Sequence, residues 1–337
     1  MSTAAAIRPG RDDDAAGFIA LVGDCWAEYP ACVMDVDAEV PELRALASHY
    51  AAKGGALWCA ERAGRVVGMV ATRPLGDGAW ELCKMYAAVS ERGSGLASRL
   101  LALAEAQARA QGASGMKLWT DTRFTRAHGF YEKHSYLRAG PIRALHDLSN
   151  TVEFGYAKPL AGVVARQLDT AAAASAETRL SLVLRDCVED GASVSFLPPL
   201  ATRTARAFWH RTAAEVAAGR CLLFAAWLDG EVAGTVQVDL ATPPNQPHRA
   251  EVKKLLIHPA ARRRGVARRL MREAEAAAAA AGRSLLVLDT CEGSAAEALY
   301  RSLGWIETGR VANYALLPDG SLCTAVMFGK HLPIRPG

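Results

Sequence analysis

From residue 56 onward the apolar positions come in short runs, and their spacing changes as the chain advances. "ALWCAERAGRVVGMVAT" (56–72) is two apolar runs broken at Ala63-Gly64, which predicts two strands joined by a tight turn. "ELCKMYA" (81–87) begins at Glu81 as a third strand. The spacing then lengthens. Within "SGLASRLLALAEAQARAQG" Leu96, Leu100 and Leu103 recur at i, i+4 and i+7 and a glycine closes the segment, which predicts a long helix. "MKLWTDT" (116–122) returns to a buried strand ending in Asp121-Thr122, and "FYEKHSY" (130–136) is a short helical segment presenting Tyr131. Residues 1–160 therefore read as strand, helix pair, hairpin, strand, glycine loop, long helix, strand, short helix and closing strands.

The same order returns in residues 161–337. "ELCKMYAAVSERGSGLASRLL" (81–101) aligns without gaps on "EVKKLLIHPAARRRGVARRLM" (251–271), matching Glu81 with Glu251, Lys84 with Lys254, Gly95 with Gly265 and Ala97 with Ala267. "CLLFAAWLDGEVAGTVQVD" supplies a second hairpin around Asp229-Gly230, "LLVLDT" a second strand ending in Asp289-Thr290, and "LYRSLGW" a second short helix presenting Tyr300. Four blocks in one order, at an offset held between 166 and 170 residues, identify an internal repeat. The chain is expected to hold two α/β domains joined where Pro159 ends one strand and "GVVARQL" begins the next.

Composition narrows the function classes. The chain has 337 residues, enough for two cores, and its net charge of +4 falls short of the basic bias of a nucleic-acid binder. Eight cysteines without a CxxC or CxxH pair give neither a zinc site nor a disulfide framework, and read as reduced thiols of a cytoplasmic protein. "MSTAAAIRPGRDDD" does not have the form of a signal peptide, and no stretch is apolar for about 18 residues, so no membrane span is expected. Carboxylates and histidines nowhere show metal-ligand spacing.

The glycine loop carries the chemistry. A loop that bends at glycine and at once starts a helix presents unpaired N–H groups, which with the helix dipole make an anion site. "GSGLAS" lacks the third glycine of a dinucleotide fingerprint, and neither copy has the GK[ST] of a P-loop. Both copies fit [RQ]xxGx[GA], as "RGSGLA" and "RRRGVA". With its flanking strand and helix, that pattern resembles the coenzyme A site of the GNAT N-acetyltransferase superfamily, so the chain resembles a tandem GNAT protein. Within that superfamily, "GASVSFLPPL", "LLVLDTCEGSAAEALYRSLGW" and "PDGSLCTAV" make the second half similar to the tabtoxin-resistance acetyltransferases over roughly residues 165–333.

The resemblance implies, for each half, a mixed and mostly antiparallel sheet flanked by helices, with its fourth and fifth strands splayed around acetyl-CoA. The pantetheine arm would pair with the backbone of Met85, Tyr86 and Ala87 in one half and of Leu255, Leu256 and Ile257 in the other. The pyrophosphate would lie on Arg92, Gly93, Ser94, Gly95, Leu96, Ala97 and Ser98, and on Arg262, Arg263, Arg264, Gly265, Val266, Ala267 and Arg268. Arg269 and Arg272 read equally as solvated helix residues. Transfer to an amine with a pKa near 10.4 is helped by a base. Glu81 with Asp121, and Glu251 with Asp289, would border the acceptor, acting directly or through water. Tyr131 and Tyr300 would protonate the leaving sulfur. The expected partner is the primary amine of a small molecule, met by a monomer or homodimer, with neither nucleic acid nor membrane involved. A protein N-terminus or lysine is the other acceptor class, and a non-catalytic coenzyme A scaffold or sensor in one half is the non-enzyme reading.

Overall fold

A computed structural model describes residues 4–333. The chain divides into two compact units, residues up to Ala161 without Glu132–Ser135, and Glu132–Ser135 with residues from Gly162 onward. The first unit runs β1 (Ala6–Pro9), α1 (Ala15–Trp26), α2 (Leu46–Ala52), β2 (Ala56–Arg62), β3 (Arg65–Pro74), β4 (Ala79–Ala87), α3 (Leu96–Ala110), β5 (Gly115–Asp121), α4 (Thr125–Lys133), β6 (Leu137–Arg138), β7 (Arg143–Ala144) and β8 (Val152–Pro159). The second runs β9 (Val163–Leu168), α5 (Thr170–Ser175), α6 (Glu177–Glu189), α7 (Thr202–Ala217), β10 (Cys221–Leu228), β11 (Glu231–Asp239), β12 (Arg249–Ile257), α8 (Val266–Ala280), β13 (Leu285–Cys291), α9 (Ala295–Ser302), β14 (Ile306–Leu316) and β15 (Leu322–His331).

The sheets have one topology. The first follows β1-β2-β3-β4-β5-β8-β6, with β7 also on β8, and the second follows β9-β10-β11-β12-β13-β15-β14. All neighbours are antiparallel except β4 with β5 and β12 with β13. Both hairpin turns place two residues at positive φ, Ala63-Gly64 and Asp229-Gly230, as a two-residue turn with the twist of the strands requires.

Each sheet is covered on both faces, which explains the near-continuous apolar runs of its central strands. In the first unit Val70 packs with Leu96, Leu100 and Ala104 of α3, while its neighbours Met69 and Ala71 pack with Phe18, Leu43 and Leu46 on the other face. The helix stripe differs from the expected one. Leu103 is exposed, and the buried line runs Leu96, Leu100, Leu101, Ala104, Ala108, because the face that meets the sheet follows i+4, i+5 and i+8. In the second unit Val266, Leu270, Met271 and Ala274 of α8 occupy the same place against Val236 and Val252. Small residues admit these helices. A Cβ on Gly68 would lie 3.0 Å from Leu100 Cδ1, and one on Gly234 would lie 3.2 Å from Leu270 Cδ1.

Each unit has a charged pair inside it, buried in the first and part-buried in the second. Lys158 Nζ lies 2.8 Å from Glu105 Oε1, which also accepts from Tyr136 Oη at 3.1 Å. Lys330 Nζ lies 2.6 Å from Glu275 Oε2, and Trp305 Nε1 donates to Glu275 Oε1 at 2.9 Å. Each pair ties the long helix to the last long strand of its sheet.

Candidate active site

The parallel strands part after three paired residues. β4 and β5 pair only over Ala79–Glu81 with Gly115–Lys117, and β12 and β13 only over Arg249–Glu251 with Leu285–Val287. Glu81 and Glu251 therefore stand at the crotch of a fork, and the rest of each strand runs free of its parallel neighbour. The splay is the one expected from the sequence. Just past the crotch each strand carries one extra residue. Cys83 and Tyr86 face Ala71 and Met69, so three steps on β4 answer two on β3, and Lys253 and Leu256 face Gln237 and Thr235 in the same way. The bulge puts Lys84 at φ 47° and Lys254 at φ 56°, in the left-handed region. The repeated lysines thus mark a backbone device that periodicity alone does not reveal.

Beyond the bulge lie Met85–Ala87 and Leu255–Ile257, followed by the glycine loops. Gly93 and Gly95 sit at φ 78° and 80°, while Arg263 and Gly265 sit at 63° and 84°. Gly95 and Gly265 cap α3 and α8 without a side chain of their own, and Ser94 Oγ accepts the Leu96 amide at 3.2 Å in the first copy. The first amide to bond within each helix belongs to Arg99 or Arg269, which leaves the preceding turn without helical acceptors. An added Cβ at Gly93, Gly95 or Gly265 would meet no atom within 4 Å. The loops are open cradles of N–H groups, which fits a diphosphate.

The flanking arginines have partners of their own. Arg92 pairs with Glu28 at 2.6 Å, Arg262 with Asp190, and Arg264 with Asp229 at 2.7 Å, while Arg268 donates to Ser302 at 3.0 Å. These contacts are exposed and weak enough to exchange for phosphate. Arg269 pairs with Glu273 along its own helix, as a solvated face residue does.

The first fork opens into a cavity of about 570 Å³ whose walls include Glu81, Lys84, Tyr86, Asp121 and Tyr131. Four residues matched between the copies, Glu81, Lys84, Asp121 and Tyr131, thus meet in one place, but sequence reasoning left out their partners. Arg73, opposite Glu81 in the β3–β4 register, holds its carboxylate at 2.5 Å. Lys84 pairs with Glu42 at 2.8 Å. Asp121 is buried and clamped by Arg123 at 2.5 Å, and its carboxylate also accepts from the Arg123 amide at 2.8 Å, so it builds the turn after β5. His128 Nε2 donates to the Asp121 carbonyl at 2.8 Å, and burial pushes its pKa down.

The second fork is differently charged. Glu251 and Asp289 are exposed, and Asp239, paired with Lys253, occupies the register position opposite Glu251. Lys254 donates to Ser195 Oγ at 3.0 Å, and burial lowers its pKa against the opposing pull of Asp289 and Glu251. Ser294, not Asp289, caps α9. His258 caps the turn before the glycine loop. Tyr131 and Tyr300 are both buried to 6% exposure, and burial raises both phenol pKa values, with the Asp289 charge adding to the effect at Tyr300. Each therefore keeps its proton at neutral pH. Among the described residues no cluster could hold a metal ion.

Fork, bulge and glycine loop, present twice, are an acyl-coenzyme A architecture, and the chain belongs to the acetyltransferase (GNAT) family, whose model matches residues 18–136 and again 188–305. Solved structures similar to the chain each span about half of it. An acetyltransferase of the GNAT family from Streptococcus pneumoniae is 21% identical over 50% of this chain and 99% of its own, with a TM-score of 0.41. An acetyltransferase from Salmonella typhimurium, solved with its cofactor acetyl-CoA, is 18% identical over 52% of this chain and 97% of its own, with a TM-score of 0.43. Ribosomal-protein-alanine N-acetyltransferase from Brucella melitensis is 22% identical over 50% and 99%, with a TM-score of 0.42.

Proposed function

We propose that this acetyltransferase moves acetyl from acetyl-CoA to the primary amine of a small molecule, in a ternary complex and by direct attack. The observation that carries the reading is the fork. A cavity large enough for a small molecule opens between the splayed strands of the first half, beside the Met85–Ala87 edge that leaves β5. Acetyl-CoA, when bound, supplies an acyl group already activated as a thioester.

The chain's own groups do the rest. The amides of Arg92–Ser98 and of Arg262–Arg268 hold a diphosphate, aided by exchange of Arg262 and Arg264 from their carboxylate partners. The backbone of Met85–Ala87 and Leu255–Ile257 offers a pairing edge to an amide-containing arm, and an N–H of that edge would stabilise developing oxyanion charge. Glu251 and Asp289, exposed at the second crotch, take up the ammonium proton directly or through water. In the first half Glu81, already held by Arg73, takes the ammonium, and water carries the proton. Tyr131 and Tyr300 hold protons at Oη that a leaving thiolate can take.

The test is a panel of primary amines, with free thiol followed against an acceptor-free control. Acceptor-dependent release supports the enzyme reading. Coenzyme A binding without it would make the chain a sensor or scaffold, and release only with peptides would move the acceptor to proteins.

A further inference from the structure

Three ion pairs that each join two elements line the first cavity, beside the further charges of Glu39, Lys53, Asp121 and Asp147. Arg73 of β3 holds Glu81 of β4 at 2.5 Å, Lys84 of the bulge holds Glu42 of the turn Pro41–Ala45 at 2.8 Å, and Arg143 of β7 holds Glu153 of β8 at 2.5 Å. Aromatic walls lie between them, Tyr50, Tyr86, Trp119 and Phe124 among them. A polycation entering here finds the paired carboxylates already neutralised, and an uncharged amine compensates neither member of a pair that it opens. A zwitterion behaves differently. Inserted between Arg73 and Glu81, it replaces one ion pair by two, with its ammonium on Glu81 and its carboxylate on the guanidinium, and the charge of the cavity is unchanged.

Resting on the acetyltransferase reading of the first half, we infer that this cavity selects a zwitterionic α-amino acid with an apolar side chain, and that Arg73 is the residue that reads its carboxylate. The fork geometry suits that class of molecule. Glu81 ends the paired segment and faces the amine to be acetylated, while Arg73, directly opposite in the register and in contact with it at 2.5 Å, has to part from it by the length of one short ligand. A guanidinium presents a planar fork that accepts a carboxylate in two parallel bonds. The half-exposed Arg73–Glu81 pair, with side-chain exposures of 35% and 13%, can open without stranding a charge in a dry core. The second half is an internal control. Its residue opposite Glu251 is Asp239, itself held by Lys253, so the same position there offers a carboxylate no guanidinium.

The experiment compares L-leucine, L-phenylalanine and L-methionine with their own α-amides, and with putrescine as a dication, in the full-length protein. Both acceptor-dependent thiol release and calorimetric binding are measured. Each acid is expected to exceed its amide by about tenfold to a hundredfold in kcat/KM and in affinity, the range set by a charge-assisted pair. Arg73→Met should erase that advantage through a raised KM for the acids, and Arg73→Lys should restore part of it as a point charge. Coenzyme A titration of each variant verifies that it is folded. Amides or putrescine that match the acids in the wild-type protein overturn the inference, as does an undiminished preference in Arg73→Met. Selective binding of the acids with no acceptor-dependent thiol release would leave Arg73's role standing and defeat the catalytic reading. Release without acid preference would do the reverse.

Discussion

Replacing Gly265 by valine should remove coenzyme A from the second half while leaving that half folded. Gly265 sits at φ 84°, and a Cβ built there meets nothing within 4 Å, so the substitution brings no clash with the protein. Its folding cost is the left-handed backbone, about 1–2 kcal/mol and somewhat more for a β-branched side chain. Against a domain stability of roughly 5–15 kcal/mol that is tolerable. The open space is where a diphosphate would approach the amides at the start of α8. Losing two charge-assisted hydrogen bonds, at about 1.5–3 kcal/mol each, weakens binding by roughly 10²–10⁴-fold. Calorimetric titration should find two sites per wild-type chain and one in Gly265→Val, with Gly95→Val as the mirror variant. Thermal melting verifies that the loss is local. Two equal sites in the folded variant would refute the assignment of the loop.

The remaining predictions concern the acid, the arginines and the core. Tyr300→Phe keeps the ring against Trp305 and Phe328 and removes only the hydroxyl, so kcat should fall by roughly 10²–10⁴-fold with coenzyme A affinity intact. Tyr131→Phe should do the same to reactions of the first half, and less than a tenfold change from both would assign the tyrosines to packing. Arg262→Ala removes an exposed contact with Asp190, so melting should hardly move while the acetyl-CoA KM rises, and an unchanged KM would place Arg262 outside the phosphate site. Lys158→Met strands Glu105 with Tyr136 and with Arg109 at 3.3 Å, costing about 3 kcal/mol, or roughly 6–12 °C in a unit of this size. Adding Glu105→Leu should recover most of that, as differential scanning calorimetry would show.

The sequence carried the architecture because the repeat compared each pattern with a second instance of itself. Strands, helices, turns and the crotch glutamates were legible that way. What escaped it was whatever differs between the copies or depends on distant partners. Arg73 and Asp239 occupy the same register position with opposite charge, so the comparison hid them. Asp121 and Asp289 look alike in sequence, yet Arg123 two residues on clamps only the first, and Cys291 stands at the matching place in the second. Lys84 and Lys254 were visible as repeated residues, but a bulge is a count of residues against a partner strand, and that count exists only once the partner is known.

The bulge has a consequence for how this protein can vary. Because side chains alternate along a strand with period two, inserting or removing one residue reverses the facing of everything that follows. Met85–Ala87 and Leu255–Ile257 owe their orientation toward the fork to one supernumerary residue each, at Lys84 and Lys254. The arrangement is written in chain length rather than in side-chain identity. Glycine or asparagine at either lysine would relax the backbone and keep the edge aimed at its ligand. Deleting that one residue would move each of the three side chains to the opposite sheet face and exchange which of their amides and carbonyls aim at the gap.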